Sequence, residues 1–334
     1  MTQVSEATER SARAPSATSR ARSRRRGLGV LALLAVVVLA ATMPLWGLES
    51  YTLSVAYTVV FYAAVAQAWN LMSGFTGYIS FAHGALVGIG SYAGILAMNA
   101  GSGLVVAILA GAATAVVSSL LIGLPSLRLH GIAFAFATIF FQAALLIAVQ
   151  KAVPLTGGSQ GLTAKDIVPL ETLFIAMVVV AGTATLLVHL LRRSRLGLRL
   201  LSIREDETAA RTIGIGTVRL KLGAFALSAM FAGAAGAVHA FFLATIFPQN
   251  VFTLQSSVEP LVLTLIGGTA SAIGPVVMAA IYGISQEVLQ QLGSELHLAM
   301  LGVVLVLAVL FARNGLAGLV TTWRDRRRKG RADD

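Results

Sequence analysis

Between Ser50 and Leu127 the chain carries no Asp, Glu, Lys or Arg, a run of 78 residues. A soluble domain carries about a quarter of its residues as charges, so water is not the solvent of such a run. In lipid the backbone must satisfy its own hydrogen bonds, which leaves helices or closed barrels. A spanning helix takes about 20 apolar residues, so the run must hold about three. The whole chain agrees: 57% of its 334 residues are hydrophobic and 12% charged, and it has no cysteine for a disulfide or thiolate site.

Apolar runs and their breaks place helices near 28–48, 51–72, 79–98, 104–124, 131–149, 171–191, 222–244, 258–267, 275–291 and 297–312. Gln150 to Leu170 reads as a polar connection. Val258 to Gly283 reads as one long apolar run, interrupted by Gly267-Gly268 and Gly274-Pro275. Its first piece reads as a half-helix extended upstream through Gln255–Val258, or as re-entrant.

The net charge of +11 would suggest nucleic acid in a soluble protein. Here the cations bunch between apolar runs: seven from Arg10 to Arg26, eight from Arg192 to Lys221 and seven from Arg313 to Arg331. That is the pattern of cytoplasmic loops, and it argues against nucleic acid. Two basic termini on one side require an even number of crossings. Splitting 258–291 into two crossings gives ten, puts Arg128 and the Arg192–Lys221 loop inside, and leaves Lys151 and Lys165 outside. The expected organisation is a disordered basic tail over 1–26, a membrane domain over 27–319 and a basic tail over 320–334. The expected fold class is all-α, a polytopic transmembrane bundle in the inner membrane with both termini cytoplasmic.

Catalytic and cofactor signatures are absent. There is no Gly-Lys dipeptide to build a phosphate loop, no His-Glu-x-x-His, no clustered His and no carboxylate pair inside a span. Neither an active site, a metal site nor a bound cofactor is expected, and no proton or sodium relay of buried acids is read in the spans.

Four features remain. In the basic loop, Ser202-Ile203-Arg204-Glu205 fits a capping box, and Gly214 suits the left-handed residue that ends a helix. A short charged helix is therefore expected from Ser202 to Gly214, either a solvated connector, a helix on anionic headgroups, or a docking element. Asn70, Ser80, His83, Ser91 and Gln142 lie in or beside spans, where buried polar groups bond between helices or mark a pathway. Finally, Ala229, Gly233 and Ala237 share one helix face that permits close packing. The breaks at Gly74–Gly77 and at Gly267-Gly268 to Gly274-Pro275 expose backbone dipoles of the kind that hold charged solutes.

Taken in order, these segments resemble the membrane subunits of ABC importers for branched-chain amino acids, more closely the larger, LivM-type subunit. The resemblance covers most of Tyr62 to Leu319. It rests on Trp69-Asn70-Leu71, Gly74-Phe75-Thr76-Gly77, Ser80-Phe81-Ala82-His83-Gly84, Gly88-Ile89-Gly90-Ser91-Tyr92, Leu127-Arg128-Leu129-His130-Gly131, Leu155 to Leu162, Ser194-Arg195-Leu196-Gly197, Ile203 to Glu207, Ala209-Ala210, Gly214-Ile215, Gly267 to Pro275 and Leu310 to Leu319. The chain departs from the family pattern at Ala82, at Thr269-Ala270-Ser271, where a Gly-containing turn is more usual, and at Ala312-Arg313.

The resemblance implies a permease subunit that pairs with a second homologous permease. Two cytoplasmic ATP-binding subunits hydrolyse the nucleotide, and an extracytoplasmic binding protein delivers leucine, isoleucine or valine. It implies that the loop residues Ser202, Arg204, Glu205, Asp206, Glu207, Ala209, Ala210 and Gly214 seat in an ATPase groove. The solute path would be lined by Asn70, Gly74, Gly77, Ser80, His83, Ser91, Gln142, Gly267 and Gly268. Urea or short amides are the alternative solutes, and an autonomous carrier or channel is the alternative class.

Overall fold

The computed structural model of the protein describes residues 30–292 save Ala32, Leu48 and His130, and most of them are helical. The helix expected near 297–312 and the tails over 1–26 and 320–334 lie outside the described residues. Helix α1 covers 33–41. A 3-10 turn at Met43–Trp46 leads to α2, Ser50–Trp69, whose end widens into a π-helical turn, Asn70–Gly74. Then come α3, His83–Asn99, α4, Leu104–Ser126, and α5, Ile132–Lys151. Strand β1, Leu162–Thr163, precedes α6, Leu170–Leu191. The basic loop forms α7, Arg195–Glu205, and α8, Glu207–Thr212. Helix α9, Thr217–Leu243, leads to β2, Thr245–Ile246, then α10, Leu254–Gly267, and α11, Gly274–Leu292.

Helix α9 is the hub, packed on α2, α3, α4 and α6. Small residues make this possible. A Cβ on Gly90 would stand 2.2 Å from Gly233 O, and one on Gly233 would stand 2.4 Å from Gly111 O. Ala237 meets Gly94 and Gly111 on the same face. The expected small-residue face of α9 is therefore where three backbones converge, the geometry that lets helices associate without a hydrophobic drive between them. Helices α4 and α5 turn Val105, Leu109, Leu121, Ile132 and Phe140 outward, as helices bathed in lipid do.

Five described helices are long and apolar enough to cross a membrane: Ser50–Gly74, Leu104–Ser126, Ile132–Lys151, Leu170–Leu191 and Thr217–Leu243. The others are shorter or more polar than the expected ten crossings assume. Helix α3 has 17 residues and α10 has 14. At 1.5 Å per residue the latter reaches about 21 Å, against about 30 Å of hydrocarbon. Helices α10 and α11 pack on each other about a break at 268–273. The upstream extension of the half-helix is present.

The ends of the bundle segregate. At one, β1 and β2 pair antiparallel, Asn99 Nδ2 donates to Thr163 O at 3.0 Å, and Lys165 N donates to Asn99 Oδ1 at 2.9 Å. At the other, α7 and α8 gather beside Leu127 and the 268–273 turn. The cations sort accordingly, Arg128 with the basic loop and Lys165 opposite.

The capping box is a correction. Ser202 lies inside α7, where its hydroxyl donates to Arg199 O at 2.8 Å. The helix starts eight residues earlier, capped by Ser194, whose Oγ accepts from Gly197 N at 3.0 Å. Burial of Leu200 and Ile203 on one face prolongs the helix through the serine. It stops where Asp206 turns extended (φ −157°) and caps α8, accepting from Thr208 N and Ala209 N. Gly214 ends α8 as expected: φ is +82°, Gly214 N donates to Arg211 O and Ile215 N to Ala210 O, the two bonds of a Schellman motif.

Candidate functional site

The polar residues singled out in the sequence resolve into three ties and one cavity. The first tie holds the 268–273 turn against the end of α2. Asn70 Nδ2 donates to Ser271 O at 2.8 Å, Asn70 Oδ1 accepts from Ala270 N at 2.7 Å, and Gln67 Nε2 donates to Ala272 O at 2.6 Å. Gly74 is required here, since its Cβ would stand 2.0 Å from Asn70 Oδ1. Gly267 is required for the same kind of reason, its Cβ falling 2.4 Å from the carbonyl carbon of Gly274, and Gly268 takes φ +101° to leave the helix.

The second tie joins the mid-bundle link before α3 to α2 and α9. Trp69 Nε1 donates to Ser80 O at 2.9 Å. His83 Nε2 lies 2.7 Å from Ser228 Oγ, whose own proton goes to Ala68 O at 2.6 Å. A hydroxyl has one proton, so His83 Nε2 is the donor. The third tie is Ser257 on α10: it accepts from Gly84 N and stands 2.6 Å from both Phe81 O and Gln142 Oε1.

A cavity of about 390 Å³ opens between α2, α3, α9 and the start of α10. Of the residues expected along a path, Ser91 lines it; Asn70, Ser80, His83 and Gln142 do not. Ser91 also bonds Gly236 O at 2.9 Å, joining α3 to α9. The cavity contains a residue the sequence reading passed over. Glu259, inside the run taken as apolar, lines the wall, and its Oε1 accepts from Gln255 Nε2 at 3.0 Å and from Tyr282 Oη at 3.1 Å. The run read as apolar therefore carries an acid on the cavity wall. A lone glutamate is outvoted by apolar neighbours in any hydropathy average, though an ionisable residue within an apolar run is itself a signal.

The basic end is a built joint. Arg204 Nη1 donates to Gly74 O at 2.8 Å and to Thr269 Oγ1 at 2.7 Å, so one guanidinium on α7 holds the ends of α2 and α10. Gly77, at φ +76°, lets the chain pass Arg204, whose Cγ would be 2.9 Å from a Cβ there. Glu207 on α8 accepts from Tyr78 Oη, from Arg211 Nη2 at 2.6 Å and from the wholly buried Lys221 at 2.8 Å. Burial alone would raise the Glu207 pKa, but these donors reverse it and hold the carboxyl down to about 2. Burial, with the adjacent carboxylate, pushes the Tyr78 phenol well up. Glu205, Asp206 and Ala209 are exposed on the joint and Ala210 is buried beneath it. Leu196, Leu198 and Ile213 stand in the open, 52, 62 and 74% exposed, an apolar surface on an otherwise charged loop.

An embedded cavity and a rigid two-helix loop bolted to the helix ends define a multi-helix membrane transport subunit. The family described as "Branched-chain amino acid transport system / permease component" matches residues 51–309, and the chain belongs to it. It is 27% identical over 322 residues to the "High-affinity branched-chain amino acid transport system permease protein LivM" of Escherichia coli (strain K12), covering 86% of this chain and 74% of that one. The protein of the same name from Salmonella typhimurium (strain LT2) is 26% identical over the same shares. No solved structure matches.

Proposed function

We propose that this permease forms half of the membrane path of an ATP-driven importer for leucine, isoleucine and valine, paired with a second homologous permease. The observation that carries the reading is the joint: Arg204 binds α7 to two helix ends, and the Glu207–Lys221 pair binds α8 to the hub helix α9. A rigid loop coupled to the helices around a cavity is a device for delivering motion made elsewhere. Two cytoplasmic ATP-binding subunits supply that motion, docking on the exposed Leu196, Leu198 and Ile213 and on the acidic rim at Glu205 and Asp206. An extracytoplasmic binding protein delivers the solute at the β1–β2 end. Both termini and the joint face the cytoplasm, and α10 with α11 makes up two of ten crossings.

Proteoliposomes carrying all the subunits test this: uptake of radiolabelled leucine should require ATP, the ATPase subunits and the binding protein. One observation, the embedded Glu259, favours a second reading, an autonomous carrier. That reading requires gradient-driven leucine uptake by the permease pair alone, which the same vesicles measure without ATP.

A further inference from the structure

Resting on the amino-acid permease reading above, we infer that Glu259 binds the ammonium group of the solute within the cavity between α2, α3, α9 and α10. A carboxylate in a low-dielectric site is costly unless it is paired. Among the described residues no Lys, Arg or His stands within ion-pair distance of Glu259. Its two recorded partners are neutral, and both fall on Oε1. They fix the carboxylate without neutralising it, and leave Oε2 for a cation that no described residue provides.

The surrounding wall fits the rest of a branched-chain amino acid. Val65, Val87 and Leu243 give an aliphatic surface, and Phe61 and Tyr62 an aromatic one. Asn250 and Ser256 offer neutral polar groups to a carboxylate. The volume lies at the small end of the range of about 300–1,000 Å³ for ligand sites, suited to a small zwitterion. The support behind Glu259 is stiff. Tyr282 also bonds Gln286, and its ring meets Tyr62 edge-on with centroids 4.8 Å apart. The glutamate is thus held in one place, as a subsite requires, and a ligand gains from not having to order it.

The absence of cysteine supplies the test. In the complete transporter, Leu243→Cys places one thiol on the cavity wall, and its maleimide labelling is read on this chain by gel. L-leucine and isoamylamine, which share an ammonium group, should slow labelling, and isovalerate, which lacks it, should not. Glu259→Gln keeps the shape and the Oε1 acceptor but not the charge. It should abolish protection and cut leucine uptake by about tenfold, while Glu259→Asp retains part of both. Unchanged protection in E259Q, or protection by isovalerate equal to that by isoamylamine, would overturn the assignment. Failure of the wild-type complex to take up leucine would instead overturn the functional reading, and isoamylamine protection would be read independently of it.

Discussion

Lys221 Nζ stands 2.8 Å from Glu207 Oε1 and 3.2 Å from the carbonyl oxygen of Leu127, with its side chain wholly buried. One ammonium therefore ties three parts of the chain together: the loop helix α8, the start of α9, and the link after α4. Breaking a buried pair from one side leaves an uncompensated charge, at a cost of about 3 kcal/mol or more. Glu207→Ala should therefore destabilise the protein more than the double variant Glu207→Gln with Lys221→Met does. Thermal unfolding in detergent gives the ranking. Equal losses would mean that the pair does not act as a unit.

The acid side of stability should carry the Glu207 signature. Its carboxyl is held at about 2 against an ordinary 4.5. A lowered acid contributes stability that is fully present above the unfolded value and lost as pH falls through the folded one. The joint should thus be indifferent to pH above about 5 and weaken between 4.5 and 2. The melting temperature of E207Q should show a flatter acid limb than wild type. A limb of unchanged steepness would assign the acid sensitivity to another group.

Arg204 and Gly77 make a second, independent test of the joint. Arg204→Ala loses both the Gly74 and the Thr269 bonds. Gly77→Ala forces a left-handed residue against Arg204 at a cost of about 1–2 kcal/mol. Both variants should assemble yet let ATP hydrolysis run with little leucine uptake. Uptake proportional to hydrolysis in both would show that α7 does not transmit motion.

Glu205 and Asp206 are neighbours with different duties. Asp206 caps α8, so Asp206→Ala should cost about 1 kcal/mol of local stability. Glu205 is exposed on the rim, so Glu205→Lys should leave the melting temperature alone and weaken association with the ATPase subunits. A pull-down unaffected by E205K would remove the acidic rim from the docking surface.

Ala270 sits at φ +55°, a left-handed conformation that a β-carbon disfavours. It falls in the Thr269-Ala270-Ser271 turn, where Ala270 N donates to Asn70 Oδ1 at 2.7 Å. Ala270→Gly should relieve about 1–2 kcal/mol of strain and give back part through chain entropy, for a net gain of about 0.5 kcal/mol. A lower melting temperature for A270G would mean that the Asn70 bond to the Ala270 amide sets that geometry without strain.

Hydropathy and charge placement alone settle the class and the solvent. Seventy-eight residues without a charge permit little but helices in lipid, because no other fold without closure satisfies their backbones. The grouping of cations fixed which links share an end, and the small residues at 229, 233 and 237 marked the face where α9 packs. Local chemistry misled where tertiary packing outweighed it. Ser202 and Glu205 match a capping box, but burial of Leu200 and Ile203 carries the helix through them, and Ser194 and Asp206 do the capping. Only the folded chain separated ties from cavity. Asn70 and Gln142 look equally polar in sequence, yet each finds its bonds inside the bundle, 201 and 115 residues away. Among the described residues Glu259 finds only neutral partners, and it lines the cavity. That distinction depends on distances between helices far apart in sequence, which packing sets and no local pattern records.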